Sequence, residues 1–127
     1  MANTIDKRPP VAVGHVRLPV KNVLTTSAFL QELGLRKIFE NDTFAVLELR
    51  GGTHLILEKS RNRIKPGTQA PVDFMVDDVK KARLKYAKMG MKPTRIKSGT
   101  IHSSFFIPGP DGWSFKITSS HTSGRPV

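Results

Sequence analysis

The 127-residue sequence contains no cysteine. Disulfides, thiolate-held zinc and iron–sulfur clusters are therefore excluded, and the absence fits a reducing compartment. No apolar run approaches the ~20 residues that a bilayer-spanning helix needs. The opening MANTIDKRPP lacks the apolar stretch of a secretory signal. The expectation is a soluble, cytoplasmic protein with no membrane partner. A chain of this length makes one domain, or two very small halves sharing a core.

Carboxylates are also scarce, with 10 Asp and Glu against 21 Lys and Arg, for a formal net charge of +11. Such an excess attracts anions and repels cations, and it invites a nucleic-acid reading. Lys80, Lys81, Arg83, Lys85, Lys88 and Lys92 belong to one helix-like stretch and its exit, and Arg61, Arg63 and Lys65 to a loop. There is little aromatic interleaving and no base-reading motif. A solvated basic face is the favoured reading. Nucleic acid is not the expected partner, although polyanion binding through the basic helix face stands as an alternative of another class. The chain also shows no Ser–His–Asp order, phosphate-cradling glycine loop or EF-hand spacing.

What the sequence does contain is a repeat. LPVKNVLTTSAFLQELGLRKI lies over FMVDDVKKARLKYAKMGMKPT without a gap, so that Val20 matches Val76 (76 − 20 = 56), Val23 matches Val79 and Gly34 matches Gly90. Asn22 and Asp78 occupy helix N-cap positions, where a side-chain oxygen accepts from an orphan backbone N–H. Gly34 and Gly90 stand where a left-handed C-cap is wanted. Val23, Thr26, Leu30 and Leu33 in one copy, and Val79, Ala82, Tyr86 and Met89 in the other, follow the spacing of an amphipathic helix. A strand precedes each helix, AVGHVRLPV and APVDFMV, and two or three strand-like runs follow it. THLILEKS matches WSFKITSS at an offset of 60, each run preceded by a glycine, Gly52 or Gly112. The order β-α-β-β-β, twice, is the predicted organisation. Residues 1–10 and 121–127 are expected as tails, 11–65 as the first module and 66–120 as the second.

With GHVRLPVKNVLTTSAFLQELGL, FMVDDVKKARLKYAKMGM and the GPDGWSFKI turn-strand, the chain resembles the vicinal oxygen chelate superfamily. That superfamily includes glyoxalase I, bleomycin-resistance proteins, fosfomycin-resistance enzymes and extradiol dioxygenases. The resemblance spans about residues 11 to 120 and implies an α+β fold. Two βαβββ modules would form curved mixed sheets around a cup, with the helices on the convex side and often a homodimer partner completing it.

Strand alternation then assigns the lining of that cup. His15 and Arg17 come from the first strand, and His54, Ile56 and Glu58 from THLILEKS. Pro71, Asp73 and Met75 come from APVDFMV, and Ser114, Lys116 and Thr118 from the last strand. The expected ligand-binding set is His15, Arg17, His54, Ile56, Glu58, Asp73, Met75 and Lys116. The resemblance implies metal ligands on the first and fourth strands of each module, which here are His15, Ile56, Pro71 and Lys116. Of these only His15 can ligate, while Lys116 brings an ammonium that repels a divalent cation. Zinc-like sites need about three protein ligands, so no cofactor is expected. A displaced divalent-metal site of His15, His54, Asp73 and Glu58 is the alternative, although His54 and Asp73 each stand about 7 Å along a strand from the implied positions.

Arg17 is expected to pair with Asp73, and Lys116 with Asp73, Glu58 or a ligand anion. His102 and His121 are expected in solvent, Trp113 at a cup or dimer edge, and one of Phe105 and Phe106 as an apolar wall. The leading function is binding of a small, anionic or oxygen-rich molecule, without a metal, by a homodimer. Sequestration of a cationic drug such as bleomycin is disfavoured by the charge. The enzymatic alternative is a metal-dependent lyase or dioxygenase at the displaced site. A metal-free version would use His15 or His54 as general base, with Arg17 and Lys116 stabilising an oxyanion, or Lys116 as nucleophile.

Overall fold

In both halves a strand stops where an Asx side chain captures a free amide in the first turn of a helix. In the computed structural model, which describes residues 5–120, strand β1 (His15–Val20) runs into helix α1 (Val23–Leu33), and Asn22 Oδ1 accepts from Thr25 N at 3.0 Å. Strand β5 (Thr68–Val76) runs into helix α2 (Val79–Lys88), and Asp78 Oδ1 accepts from Lys81 N at 3.0 Å. Gly34 ends α1 at φ 134°, giving its N–H to the carbonyls of Leu30 and Gln31.

Three strands follow each helix: β2 (Arg36–Glu40), β3 (Phe44–Glu48) and β4 (His54–Lys59) in the first half, and β6 (Lys97–Ser98), β7 (Ser103–Pro108) and β8 (Trp113–Ser119) in the second. They form two four-stranded sheets, in the orders β1-β4-β3-β2 and β5-β8-β7-β6. The β1/β4 and β5/β8 pairs are parallel and the others antiparallel. The twofold β-α-β-β-β order is therefore the observed one, and its curved sheets make the expected cup.

Alternation along the strands sends one set of side chains under the helices. Leu18, Val20, Ala45, Leu47, Leu55 and Leu57 are fully buried in the first sheet, and Phe105, Ile107, Phe115 and Ile117 almost fully in the second. Burying a Leu, Ile or Phe of this kind contributes about 1.5–3 kcal/mol. Val23, Thr26, Leu30 and Leu33 are the buried stripe of α1, as the periodicity predicts. On α2 the stripe departs from expectation at its end: Met89 is 41% exposed and Met91 is buried in its place. The helix ends at Lys88, and Gly90 (φ 79°) turns the chain before another helical turn is made.

The two halves share one core. The Phe29 ring of α1 lies 5.7 Å from that of Phe115 in β8, and Tyr86 of α2 gives its hydroxyl to the carbonyl of Leu33 at 2.8 Å. Trp113, expected at an edge, gives its indole N–H to the carbonyl of Pro19. Two related contacts clasp the modules. The β7–β8 turn places Asp111 Oδ2 on the Asn22 amide (2.9 Å) and the Thr26 hydroxyl (3.0 Å) at the start of α1. The β3–β4 connection places Arg50 on Asp77, at 3.1 Å, just before α2. Gly112 makes the first clasp possible, because at φ 102° a Cβ would stand 2.7 Å from the Ile64 carbonyl oxygen.

Candidate functional site

The face of the sheets turned away from the helices carries the polar side chains. In the first sheet it holds His15, Arg17 and Pro19 of β1, His54, Ile56 and Glu58 of β4, and Phe44, Val46 and Glu48 of β3. The register sets His15 beside His54, Arg17 beside Ile56 and Pro19 beside Glu58. In the second sheet Asp73 stands beside Lys116, and Met75 beside Thr118. These rows are equivalent under the repeat, since Arg17 maps to Asp73 (73 − 17 = 56) and Ile56 to Lys116 (116 − 56 = 60).

Arg17 does not bridge to Asp73, as the sequence suggests, but to Glu58. Glu58 is the diagonal neighbour of Arg17 on the same face of the β1/β4 pair, within reach of a long side chain. Lys116 forms neither expected pair: it is half-buried, and neither it nor Asp73 joins an ion pair among the described residues. Met75 is 55% exposed, and Ile56 is half-buried. Thr118 is buried, with a hydroxyl that has no hydrogen-bond partner among the described residues.

The structure adds Glu48, which the sequence reading missed although FAVLE alternates visibly and puts Glu48 in phase with Phe44 and Val46. Glu48 is bridged by Arg36 and lies 3.4 Å from His54 Nε2. The Arg36 guanidinium holds the Glu48 carboxyl below its ordinary range, with His54 adding to this against the opposing effect of burial. The His54 and His15 ring centroids are 5.9 Å apart. An imidazole backed by a carboxylate is the arrangement that positions a general base or a hydrogen-bond donor. Toward the other end of β3, where Phe44 stands opposite Glu58, the Phe39 and Phe44 rings stack at 5.0 Å and form an apolar wall. In the second sheet Phe105 belongs to the core, and the half-buried Phe106 pairs with Lys116.

His15, His54, Asp73 and Glu58 do not converge as a displaced metal site. Glu58 is engaged by Arg17, and among the described residues no three or more His, Asp and Glu side chains are gathered as metal ligands would be. His102 is half-buried rather than in solvent, and His121 lies outside the described residues. An open depression of about 220 Å³ at the start of α1 is lined by Lys21, Asn22, Asp42 and Lys59 and by none of His15, His54, Asp73 or Glu58.

No protein-family model matches the sequence, and no curated protein matches it. Solved structures do match. A lactoylglutathione lyase from Agrobacterium tumefaciens is 17% identical, covering 92% of this chain and 99% of its own, with a TM-score of 0.73. A possible glyoxalase from Bacillus cereus is 22% identical, covering 84% and 96%, with a TM-score of 0.68. A member of the glyoxalase/bleomycin resistance protein/dioxygenase superfamily from Sphaerobacter thermophilus is 18% identical, covering 87% and 98%, with a TM-score of 0.70. What the chain shares with these superfamily structures, at such identities, is the paired βαβββ fold.

Proposed function

We propose that the concave face binds a small ligand with an apolar body and an anionic or oxygen-rich head, without a metal at the superfamily's usual position. The observation that carries this reading is the half-buried Lys116, set in the middle of the second sheet and joined in no ion pair among the described residues. A lysine on this face that joins no ion pair is open to a ligand anion. Arg17 and Arg36 differ in being already held by Glu58 and Glu48. Phe39, Phe44, Val46, Ile56 and Met75 offer the apolar surface, and the net charge of +11 favours anions. The homodimer and the cytoplasmic setting belong to the same reading.

Thermal-shift titration with carboxylates, phosphates and aromatic acids tests it. At least one anionic class raises the melting temperature of the native protein, and Lys116→Met abolishes the rise. A flat response to every class, or a rise that survives Lys116→Met, refutes the reading. In parallel, chelator-treated protein titrated with zinc, iron(II) and manganese takes up no near-stoichiometric metal. Uptake that disappears in His15→Ala would install the metal-dependent lyase or dioxygenase instead.

A second reading, metal-free acid–base catalysis, is favoured by one observation, the Glu48–His54 contact at 3.4 Å. In that case His54 is the base, Glu48 orients it, and Lys116 stabilises the developing oxyanion. Turnover of a bound ligand that is lost in His54→Gln, with binding retained, would establish it.

A further inference from the structure

The charge is divided unevenly along the chain. Residues 1–78 carry 11 Lys and Arg against 9 Asp and Glu, and residues 79–127 carry 10 against Asp111 alone, giving +2 and +9. From Val79 to Pro110 there are eight Lys and Arg and no carboxylate. The ion pairs repeat this division: among the described residues all six lie between Asp6 and Asp77. The cations of α2 and its exit thus lie in a stretch without carboxylates and join no ion pair among the described residues.

Their arrangement narrows the partner. Val79 and Tyr86 are buried and fix the inner side of α2 to the core, so its outer side is set. At the centre of that outer side is Leu84, 59% exposed. Its helical neighbours are Lys80 (i−4), Lys81 (i−3) and Lys88 (i+4), all exposed, and the exposed Lys85 adds a further cation to the same helix. Met89, 41% exposed, follows. Exposed Lys92, Arg95 and Lys97 extend the basic track to β6.

A nucleic-acid face would favour arginine forks for base edges or exposed rings for stacking. The one arginine of α2, Arg83, is directed to the carbonyls of Thr94 (2.7 Å) and Pro93 (3.4 Å), and Tyr86 is buried. Phosphates of a duplex gain nothing from a leucine at the centre of the contact. An anionic lipid surface uses both parts, since lysine ammoniums sit at the headgroups while an aliphatic side chain enters the acyl boundary. We propose that the outer face of α2, with its exit as far as Lys97, docks on anionic lipid membranes, Leu84 inserting among its neighbouring lysines. This surface is separate from the concave face.

The test is co-sedimentation of the full chain with vesicles of phosphatidylcholine alone and of phosphatidylcholine with a third phosphatidylglycerol. Binding is expected only to the anionic vesicles, weakening between low salt and about 0.15 M. Lys85→Glu/Lys88→Glu lowers the partition constant by at least about tenfold. Leu84→Ser lowers it by about threefold with no change of charge, and Lys116→Met leaves it unchanged. Circular dichroism shows that each variant is folded, and the salt dependence of the native protein stands even if one is not. No binding to anionic vesicles at low salt, or equal binding to both compositions, overturns the proposal. So does a DNA duplex that binds more tightly than the vesicles at matched salt, with no effect of Leu84→Ser.

Discussion

Trp113 gives its indole N–H to the carbonyl oxygen of Pro19 at 2.8 Å, joining β8 of the second module to β1 of the first. It is the only tryptophan in the chain. A bond that joins two halves across 94 residues stabilises their docking rather than either half. Trp113→Phe keeps the apolar contact and removes the donor. We expect a loss of about 1 kcal/mol, read as a lower urea midpoint with an unchanged slope. An unchanged midpoint would show that the bond contributes nothing to the docking.

The only tyrosine, Tyr86, makes a similar link to Leu33, and burial raises its pKa above the ordinary 10.0. Neutral phenol is the form the fold prefers. The folded value lies above the unfolded one, so this contribution is fully present below the unfolded pKa and is lost as pH rises through the folded pKa. With one tyrosine present, tyrosinate absorbance follows this residue alone. The midpoint should be higher in native protein than in urea, and Tyr86→Phe should lessen the alkaline loss of stability. Coincident midpoints would contradict the burial argument.

Asp111 accepts from the Asn22 amide and the Thr26 hydroxyl, satisfying donors at the positive end of α1. Asp111→Ala should cost about 1–2 kcal/mol, seen as a lower melting temperature, and Asp111→Asn should recover part of it. Full recovery by asparagine would show that charge has no share in the contact.

Acid should act through Glu48. Its folded pKa is depressed, chiefly by Arg36. The stabilisation is therefore present above the unfolded carboxylate pKa and is lost as pH falls through the folded one. The difference in urea midpoint between native protein and Glu48→Gln should shrink steadily on acidification. A constant difference would mean that Gln fails for steric rather than electrostatic reasons.

Much of this architecture was legible in the residues. The Asn22 and Asp78 caps, the buried stripe of α1 and the inward parity of four strands follow from spacing alone. The sites of failure share a cause. Alternation tells which face a side chain occupies, but not which neighbour it meets, because that depends on the register between strands distant in sequence. The sequence thus points Arg17 to Asp73, whereas the register brings it to Glu58. Met89 was placed in the buried stripe because the pattern continued past the residue where the helix ends. Glu48 sits in β3, whose alternation is as regular as that of β4, but the repeat carries no signal for its carboxylate.

The two clasps between the modules differ in polarity, and that asymmetry decides who can partner whom. Under the repeat, Asp77 corresponds to Lys21 (77 − 56 = 21) and Asn22 to Asp78 (22 + 56 = 78). Two first modules brought together in the same manner would set Arg50 against Lys21, and two second modules would set Asp111 against Asp78. Like repels like in both cases, whereas unlike halves fit. Each clasp therefore matches a module to its counterpart in the same chain rather than to a second copy of itself.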